Sequence, residues 1–380
     1  MFMEYPRIKP IYPKYQLNEE CFRIGAQLGI TTEFEDSTKE FWTLTNKLTG
    51  DRKVEDIVLE MQREYPHLTD TDILDGINLL NEQGVLEEAY AHEEIEERYL
   101  ANVNYFSRFT DVSENRFNYQ RKLNQSTILL LGLGGGGSNI LTLLAGLGVK
   151  KIKIVDYDRV EVSNLGRQFI YKESDVNRLK NEVAKESILA MNPNIQVESY
   201  NKKIVTVEDV LSFTEDVDLV ICAIDEPPFV IHRIVNQAIV QANLPCVFGA
   251  SQVSRGRVYT VIPHQTGCFD CMNLNFSKND PKFIEQFVGF RNIKFNPPSI
   301  AYGPAMFQLT ASIVDEVVRV LTGYTTPRSL GTQYEINYED GSSFTHPSWA
   351  KFEDCPTCGK GDFKEWEIFQ YYEPIEENHG

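Results

Sequence analysis

The stretch LLLGLGGGGSNILTLLAGLGVKKIKIVDYDRV, from Leu129 to Val160, decides how this chain is read. An apolar run of strand length, Thr127–Leu131, breaks at Gly132 and runs into four consecutive glycines, Gly134 to Gly137. A segment of helical spacing follows, then a second apolar run that ends on Asp156. Strand, glycine loop, helix and strand with a terminal carboxylate is how a nucleotide site is built. Glycines let the backbone turn tightly and approach phosphate, and the helix start offers free N–H groups and a positive dipole end. Gly132, Gly134, Gly135 and Gly137 are the candidate phosphate-facing positions, and Asp156 stands where a carboxylate grips ribose hydroxyls.

Outward from this stretch the chain alternates strand and helix. Strands are predicted at 127–131, 151–155, 196–200, 219–223 and 246–250, with helices between them at 139–145 and 178–191. This alternation predicts an α/β fold, a mostly parallel sheet covered on both faces. RVYTVIP and QYEINY, further on, predict an antiparallel extension.

A glycine loop alone also suits a dehydrogenase. The residues after Asp156 argue against redox chemistry. DYDRVEVSNLGRQFIY and the following segment place Asn164, Arg167, Gln168 and Lys180 just beyond the strand. Hydride transfer has no use for two fixed cations there, whereas an enzyme that expels pyrophosphate needs them against the charge on the leaving group. Asp225 ends the apolar run LVICAID, and carboxyl ends of parallel strands face the ligand crevice. It is the candidate Mg²⁺ ligand. Asp158 is either a turn residue or a second metal contact. His232 and His264 read as packing or surface residues.

Four of the seven cysteines fall in two CxxC pairs, Cys268/Cys271 and Cys355/Cys358. Such knuckles close a tetrahedral site that Zn²⁺ fills with no open position. Cys222 and Cys246 sit in apolar strand patterns and read as core. The formal charge of −18 disfavours a nucleic-acid partner, which needs a basic face. No apolar run approaches membrane-spanning length and the start MFMEYPRIKP is not a signal pattern, so a cytoplasmic protein is expected.

The first ~90 residues read as a separate small domain. RIKP and CFRIG are short extended stretches, and three amphipathic segments follow, closing at Gly50, near Pro66 and at Gly84, the last capped by Asp70. Two strands and three helices in this order suggest a winged-helix-like unit. The expected boundaries are 1–90 for this unit, 91–125 for a linker with helical pieces, 126–365 for the nucleotide domain and 366–380 for an acidic tail.

GLGGGGSN, VDYD, SNLGRQ, Lys180, NPN and Asp225, in this order, resemble the ubiquitin-activating, E1-like adenylating superfamily of the ThiF and MoeB type. The resemblance covers roughly residues 125 to 360 and implies a Rossmann-like adenylation domain. It implies ATP and Mg²⁺ as cofactors and a structural zinc on the four cysteines. It further implies that Asp156 binds ribose, that Asn164, Arg167 and Lys180 contact phosphates, that Asp225 holds Mg²⁺, and that two copies pair as a homodimer. Arg98 is either solvated or, as an N-terminal arginine does in that family, reaches a partner subunit's phosphates. Two positions depart from the family pattern: Gly136, where a bulky residue is usual, and Asn177, where a glycine is usual.

LTGDRKVEDIVLEM and YPHLTDTDILDGINLLNEQGVLEE resemble the PqqD-like leader-peptide recognition domain, which binds a leader as an added strand. The superfamily's relay cysteine lies after the first CxxC, and residues 272–304 here contain none. A leader clamp joined to an adenylating core without a relay cysteine resembles the enzymes that mature ribosomal peptides, of the pantocin and microcin C types. That resemblance implies a precursor peptide as partner. Its carboxylate would be adenylated and spent on internal cyclisation, or the peptide would become a nucleotide conjugate. The rival readings are a sulfur-carrier activator, a non-catalytic leader presenter and, distantly, a dehydrogenase.

Overall fold

The computed structural model describes residues 3–27, 31–89, 95–226, 230–280, 282–292 and 300–370. The chain divides into two compact units, Met1–Arg121 and Lys122–Gly380.

The first unit contains strands β1 (Pro6–Ile8), β2 (Lys14–Gln16), β3 (Cys21–Ile24) and β4 (Thr32–Glu35), then helices α1 (Glu40–Lys47), α2 (Val54–Glu64) and α3 (Asp70–Glu82), and strand β5 (Leu86–Glu88). Helices α4 (Leu100–Phe106) and α5 (Phe117–Leu123) follow. RIKP and CFRIG correspond to β1 and β3. The strands β2, β4 and β5 were not expected, because three or four residues are too few to show a period. β2, β3 and β4 form an antiparallel sheet in that order, and β1 pairs with β5. The apolar stripes of the three helices meet over this sheet, burying Phe22, Phe34, Leu44, Ile57, Met61, Ile73, Ile77 and Leu80.

The helix cap expected from Asp70 is instead supplied by Thr69. Its hydroxyl accepts from the Asp72 amide, and Asp72 accepts from the Thr69 amide. This reciprocal box satisfies two end donors at once, which Asp70 cannot do from inside the first turn. Stretch 91–125 contributes Val112 to the same core. Its Thr110 carbonyl accepts from the buried Lys9 ammonium at 2.6 Å. Residues 90–94, which span the expected boundary at 90/91, lie outside the described residues, as do 371–380 of the acidic tail.

The second unit is built on an eight-stranded sheet. Its strands are β6 (Thr127–Leu131), β7 (Lys151–Val155), β8 (Gln196–Tyr200), β9 (Leu219–Cys222), β10 (Cys246–Ser251), β11 (Arg255–Val261), β12 (Gln333–Asn337) and β13 (Ser343–Thr345). The spatial order is β13-β12-β11-β10-β9-β6-β7-β8. From β8 to β10 the pairs are parallel, and β11, β12 and β13 add on antiparallel. The expected α/β class and antiparallel extension are therefore both present. Every residue of β6 and β9 is buried, as for central strands covered on both faces.

The helices of this unit are α6 (Gly135–Leu147), α7 (Lys180–Met191), α8 (Val207–Leu211), α9 (Ile231–Gln241), α10 (Phe269–Asn279), α11 (Lys282–Asn292), α12 (Gly303–Thr322) and α13 (Glu367–Gln370). One face of the sheet carries α12, whose Ile313 lies where a Gly249 side chain would point. The other face carries α10, whose Phe269 stacks on Tyr259 and Phe248. From β6 the chain runs outward to β7 and β8, then returns to β9 and β10 on the other side. The strand order thus reverses between β6 and β9, and a crevice opens there at the carboxyl ends of the strands. Among the described residues, no helix is long and apolar enough to cross a membrane.

Candidate functional site

The glycine loop lies at this reversal. Gly132 has φ 93°, and a side chain on it would strike Ile224 and the Ala223 carbonyl beyond β9. Gly137 is tighter still: a Cβ there would lie 1.9 Å from the Gly132 carbonyl oxygen. These two glycines fold the loop onto itself. Gly134 caps α6 and Gly135 begins it. The first-turn amides therefore lack intrahelical acceptors. A Cβ on Gly134 or Gly136 would meet nothing within 4 Å, so the space over the loop is open.

Asp156 ties the loop to the second strand. One carboxylate oxygen accepts from the Leu133 amide at 2.6 Å and the other from the Asp158 amide at 2.8 Å. Burial raises its carboxyl above the ordinary value, against the pull of Lys180 and these two amides. Asp158 is not a bare turn residue: its Oδ2 lies 2.9 Å from the ammonium of Lys180, itself only 5% exposed. The Lys180 amide also donates to the Asp158 carbonyl, so α7 starts with its first residue held against β7's exit. The helix predicted from Arg178 begins two residues later. Before it, Asn177 takes φ 73°, the left-handed conformation that glycine adopts freely and asparagine tolerates. The second departure thus adopts a turn that glycine would also adopt.

Arg167 packs its stem beside Gly135, 3.5 Å from where a Cβ would be, and donates to the Ser163 carbonyl at 2.7 Å. Asn139 of α6 donates to the Arg167 and Gly135 carbonyls, locking this segment to the loop. Asn164 is buried and accepts from the Glu161 amide. Gln168 is 2% exposed, and its Oε1 has no partner among the described residues. Tyr171, which sequence reasoning missed, is buried and donates to the Leu133 carbonyl at 3.1 Å, bracing the loop from behind. Asp225 follows the carboxyl end of β9, is exposed, and stands three residues beyond Cys222 at the same crevice. Arg98 belongs to the first unit, where it pairs with Glu96.

The four knuckle cysteines come together although the pairs are remote in sequence. All four sulfurs lie within 4.8 Å of one another, with separations of 3.9 Å (Cys268–Cys271), 3.6 Å (Cys268–Cys355) and 3.4 Å (Cys271–Cys358). A tetrahedral Zn–S₄ centre with bonds of about 2.3 Å needs sulfurs about 3.8 Å apart, so the set fits zinc. The Phe352 amide donates to the Cys271 sulfur. The cluster is fastened to α9 by Arg233, which pairs at 2.9 Å with the fully buried Asp270. Cys222 and Cys246 are wholly buried in β9 and β10. Burial pushes the Cys222 thiol up to about 12 and the Cys246 thiol well above its usual value, so neither is a nucleophile.

The steric argument makes a direct prediction. Gly137→Ala forces the loop open and is expected to lose the thermal shift that ATP induces, with a stability cost of about 1–3 kcal/mol or more. Gly136→Ala, pointing into open space, is expected to unfold like the parent chain. Calorimetry with and without ATP checks both.

The sequence profile of the ThiF family matches residues 102–357. An adenylyltransferase and sulfurtransferase of Lodderomyces elongisporus is 32% identical over 246 residues, 64% of this chain and 51% of that protein. The sulfur carrier protein ThiS adenylyltransferase of Escherichia coli is 28% identical over 244 residues, 63% of this chain and 88% of the relative. The chain spans about half the length of the first of these relatives. Among solved structures, Escherichia coli MccB superposes with a TM-score of 0.77 at 21% identity, over 93% of this chain and 97% of that one. PaaA superposes with a TM-score of 0.69 at 20% identity, over 90% of this chain and 99% of that one. The profile match spans the glycine loop, the cation segment and three of the four knuckle cysteines, ending one residue before Cys358, and with it the chain belongs to the ThiF family, on an E1-like Rossmann fold.

Proposed function

We propose that this chain adenylates a carboxylate of a ribosomally made precursor peptide and spends the acyl-adenylate on a nucleophile of the same peptide, closing a ring. The observation that carries this reading is the glycine loop, Asp156, Arg167 and the Asp158–Lys180 pair gathered at one crevice, with Asp225 at the neighbouring strand end. A carboxylate oxygen of the peptide attacks the α-phosphorus of ATP, and the bond to the β-phosphate breaks. Arg167 and Lys180 meet the charge that builds on pyrophosphate. Asp156 orients the ribose, and Asn164 and Gln168 offer polar contacts beside it. Asp225 would hold the magnesium ion that neutralises phosphate charge. Attack on the acyl carbon then releases AMP. Zinc on Cys268, Cys271, Cys355 and Cys358 would be structural only.

A peptide-clamping role for the first unit has its own support. The outer edge of β4 carries no partner strand among the described residues. Close by is a cleft of about 150 Å³ lined by Phe41, Leu44, Met61, Ile73 and Gly76, with Asp36, Glu40 and Asp72 among its walls. An open strand edge beside an apolar cleft suits β-augmentation by a leader segment. MccB has been solved with its peptide MccA, and its likeness to this chain in fold fits the same layout. A homodimer and a cytoplasmic setting complete the proposal.

The test is the intact mass of a peptide from a short reading frame beside this chain's gene, after incubation with the full chain, ATP and Mg²⁺. Loss of water, with or without carbon dioxide, is the expected result. An added adenylyl mass would replace cyclisation by nucleotide conjugation. Binding without mass change or pyrophosphate would overturn adenylation in favour of a leader presenter. One observation favours a second reading: several relatives are sulfur carrier adenylyltransferases. Adenylation of a ubiquitin-like protein ending in Gly-Gly, and of no peptide, would establish it instead.

A further inference from the structure

Strands β11 and β12 carry a second cluster of charge. Glu335 is 1% exposed, yet three basic side chains and an amide converge on it. Arg255 reaches its Oε2 at 3.0 Å, and Arg257, Gln333 and His346 approach Oε1 at 3.0, 2.6 and 3.2 Å. Burial pushes the Glu335 carboxyl up, but Arg255 and Arg257 overcome this and hold it below its usual range. Two guanidiniums and an imidazole thus share one carboxylate, in a chain whose overall charge is −18. Arg255 remains 46% and Arg257 36% exposed. The Arg257 Nε lies off the line of a hydrogen bond to Glu335, and the His346 Nε2 is likewise without one. Phe344 of β13 lies under the Arg255 guanidinium, 5.4 Å from its carbon to the ring centroid.

The cluster lies on the face of the sheet that carries α10. Side chains alternate along a strand, so Arg255, Arg257 and Tyr259 point to one side. Tyr259 stacks on Phe269 of α10 and takes a 2.7 Å hydrogen bond with His232. The His232 ring, in turn, feels the Asp225 carboxylate. β11 is two strands from β9, a lateral step of roughly 10 Å, which an extended peptide covers in about three residues.

We propose that Arg255 and Arg257, set on the buried Glu335, form a docking platform for an acidic side chain of the substrate peptide, about three residues from the carboxylate activated at the nucleotide crevice. Glu335 holds Arg255 by a hydrogen bond and Arg257 by charge alone, which leaves N–H groups of both guanidiniums for an incoming carboxylate. The platform selects acidic core peptides, and it rests on the peptide-adenylation reading.

The probes are the acetylated peptide amides Ac-Ala-Glu-Glu-Ala-NH₂ and Ac-Ala-Gln-Gln-Ala-NH₂, with binding to the full-length chain read by ligand-observed NMR. The glutamate probe is expected to bind the wild type and to weaken at least about fivefold in Arg255→Gln, as for loss of one charge-assisted contact. Arg255→Lys, which keeps the charge, is expected to restore part of the loss. In both variants Gln333 still donates to Glu335, with Arg257 and His346 still beside it as charges, and matching circular dichroism checks the fold. No binding of the glutamate probe to the wild type, equal binding of the two probes, or an Arg255→Gln value equal to wild type would overturn the platform. Arg255-dependent binding without ATP–pyrophosphate exchange on any peptide would leave the platform standing and remove the adenylation reading.

Discussion

Asp225→Ala loses peptide-dependent ATP–pyrophosphate exchange by at least about 10³-fold, the upper range for removing one group that faces transition-state charge. The side chain is exposed at the end of β9. Its removal opens no cavity and strands no buried partner, so thermal stability should match the parent chain. Leader binding should also persist, because the cleft beside β4 belongs to the other unit. The combination of lost exchange, kept fold and kept peptide binding separates catalysis from presentation. Undiminished exchange in the variant would sink the assignment of Asp225. Lys180→Ala is a less clean probe of the same chemistry, since it leaves Asp158 without its cation.

The second large effect concerns the four-cysteine cluster. One zinc per chain is expected by metal analysis, and Cys355→Ser should lose it. Structural zinc contributes on the order of 10 kcal/mol in small domains that fold only with metal. Here the sheet stands beside the cluster, and Arg233–Asp270 and the Phe269 amide on Asn236 anchor one knuckle without metal. The loss should therefore be smaller, about 3–5 kcal/mol, the range for breaking a buried polar set by removing one member. Thr357 also donates to Asp270, so the second knuckle retains one tether. Trp349 donates to the Gly267 carbonyl and Trp366 to the Asp354 carbonyl, so two of the three tryptophans flank the knuckles. Zinc release by a chelator should shift tryptophan fluorescence together with metal content. A protein isolated without zinc, or a variant that melts with the parent chain, would show that the thiols hold no structural metal.

The two predictions draw on different kinds of information in the chain. The glycine loop and the carboxylate twenty residues on could be read directly, because a turn against phosphate and a strand-end acid are local requirements. Lys180 and Arg167 could be picked out from their charge, where hydride chemistry has no use for it. Tyr171 was not, since a buried tyrosine in a polar stretch shows no period and its bond to Leu133 depends on how the loop folds back. The cap at Thr69 was misread by one residue, because Thr69 and Asp70 are both good caps and only the reciprocal bond to Asp72 distinguishes them.

By itself, then, the sequence determined what depends on near neighbours: the alternation of strand and helix, the nucleotide loop, the two thiol pairs and the absence of a relay cysteine from residues 272–304. Tertiary structure alone decided the order of the strands, and with it that the β6 and β9 ends share one crevice. It also decided that Arg257 faces Glu335 across β11 and β12, although the two lie far apart along the chain. A one-residue slip in that pairing would turn Glu335 to the opposite face and dissolve the charge cluster. Register between distant strands is set by the packing of whole faces, which no short stretch of sequence encodes.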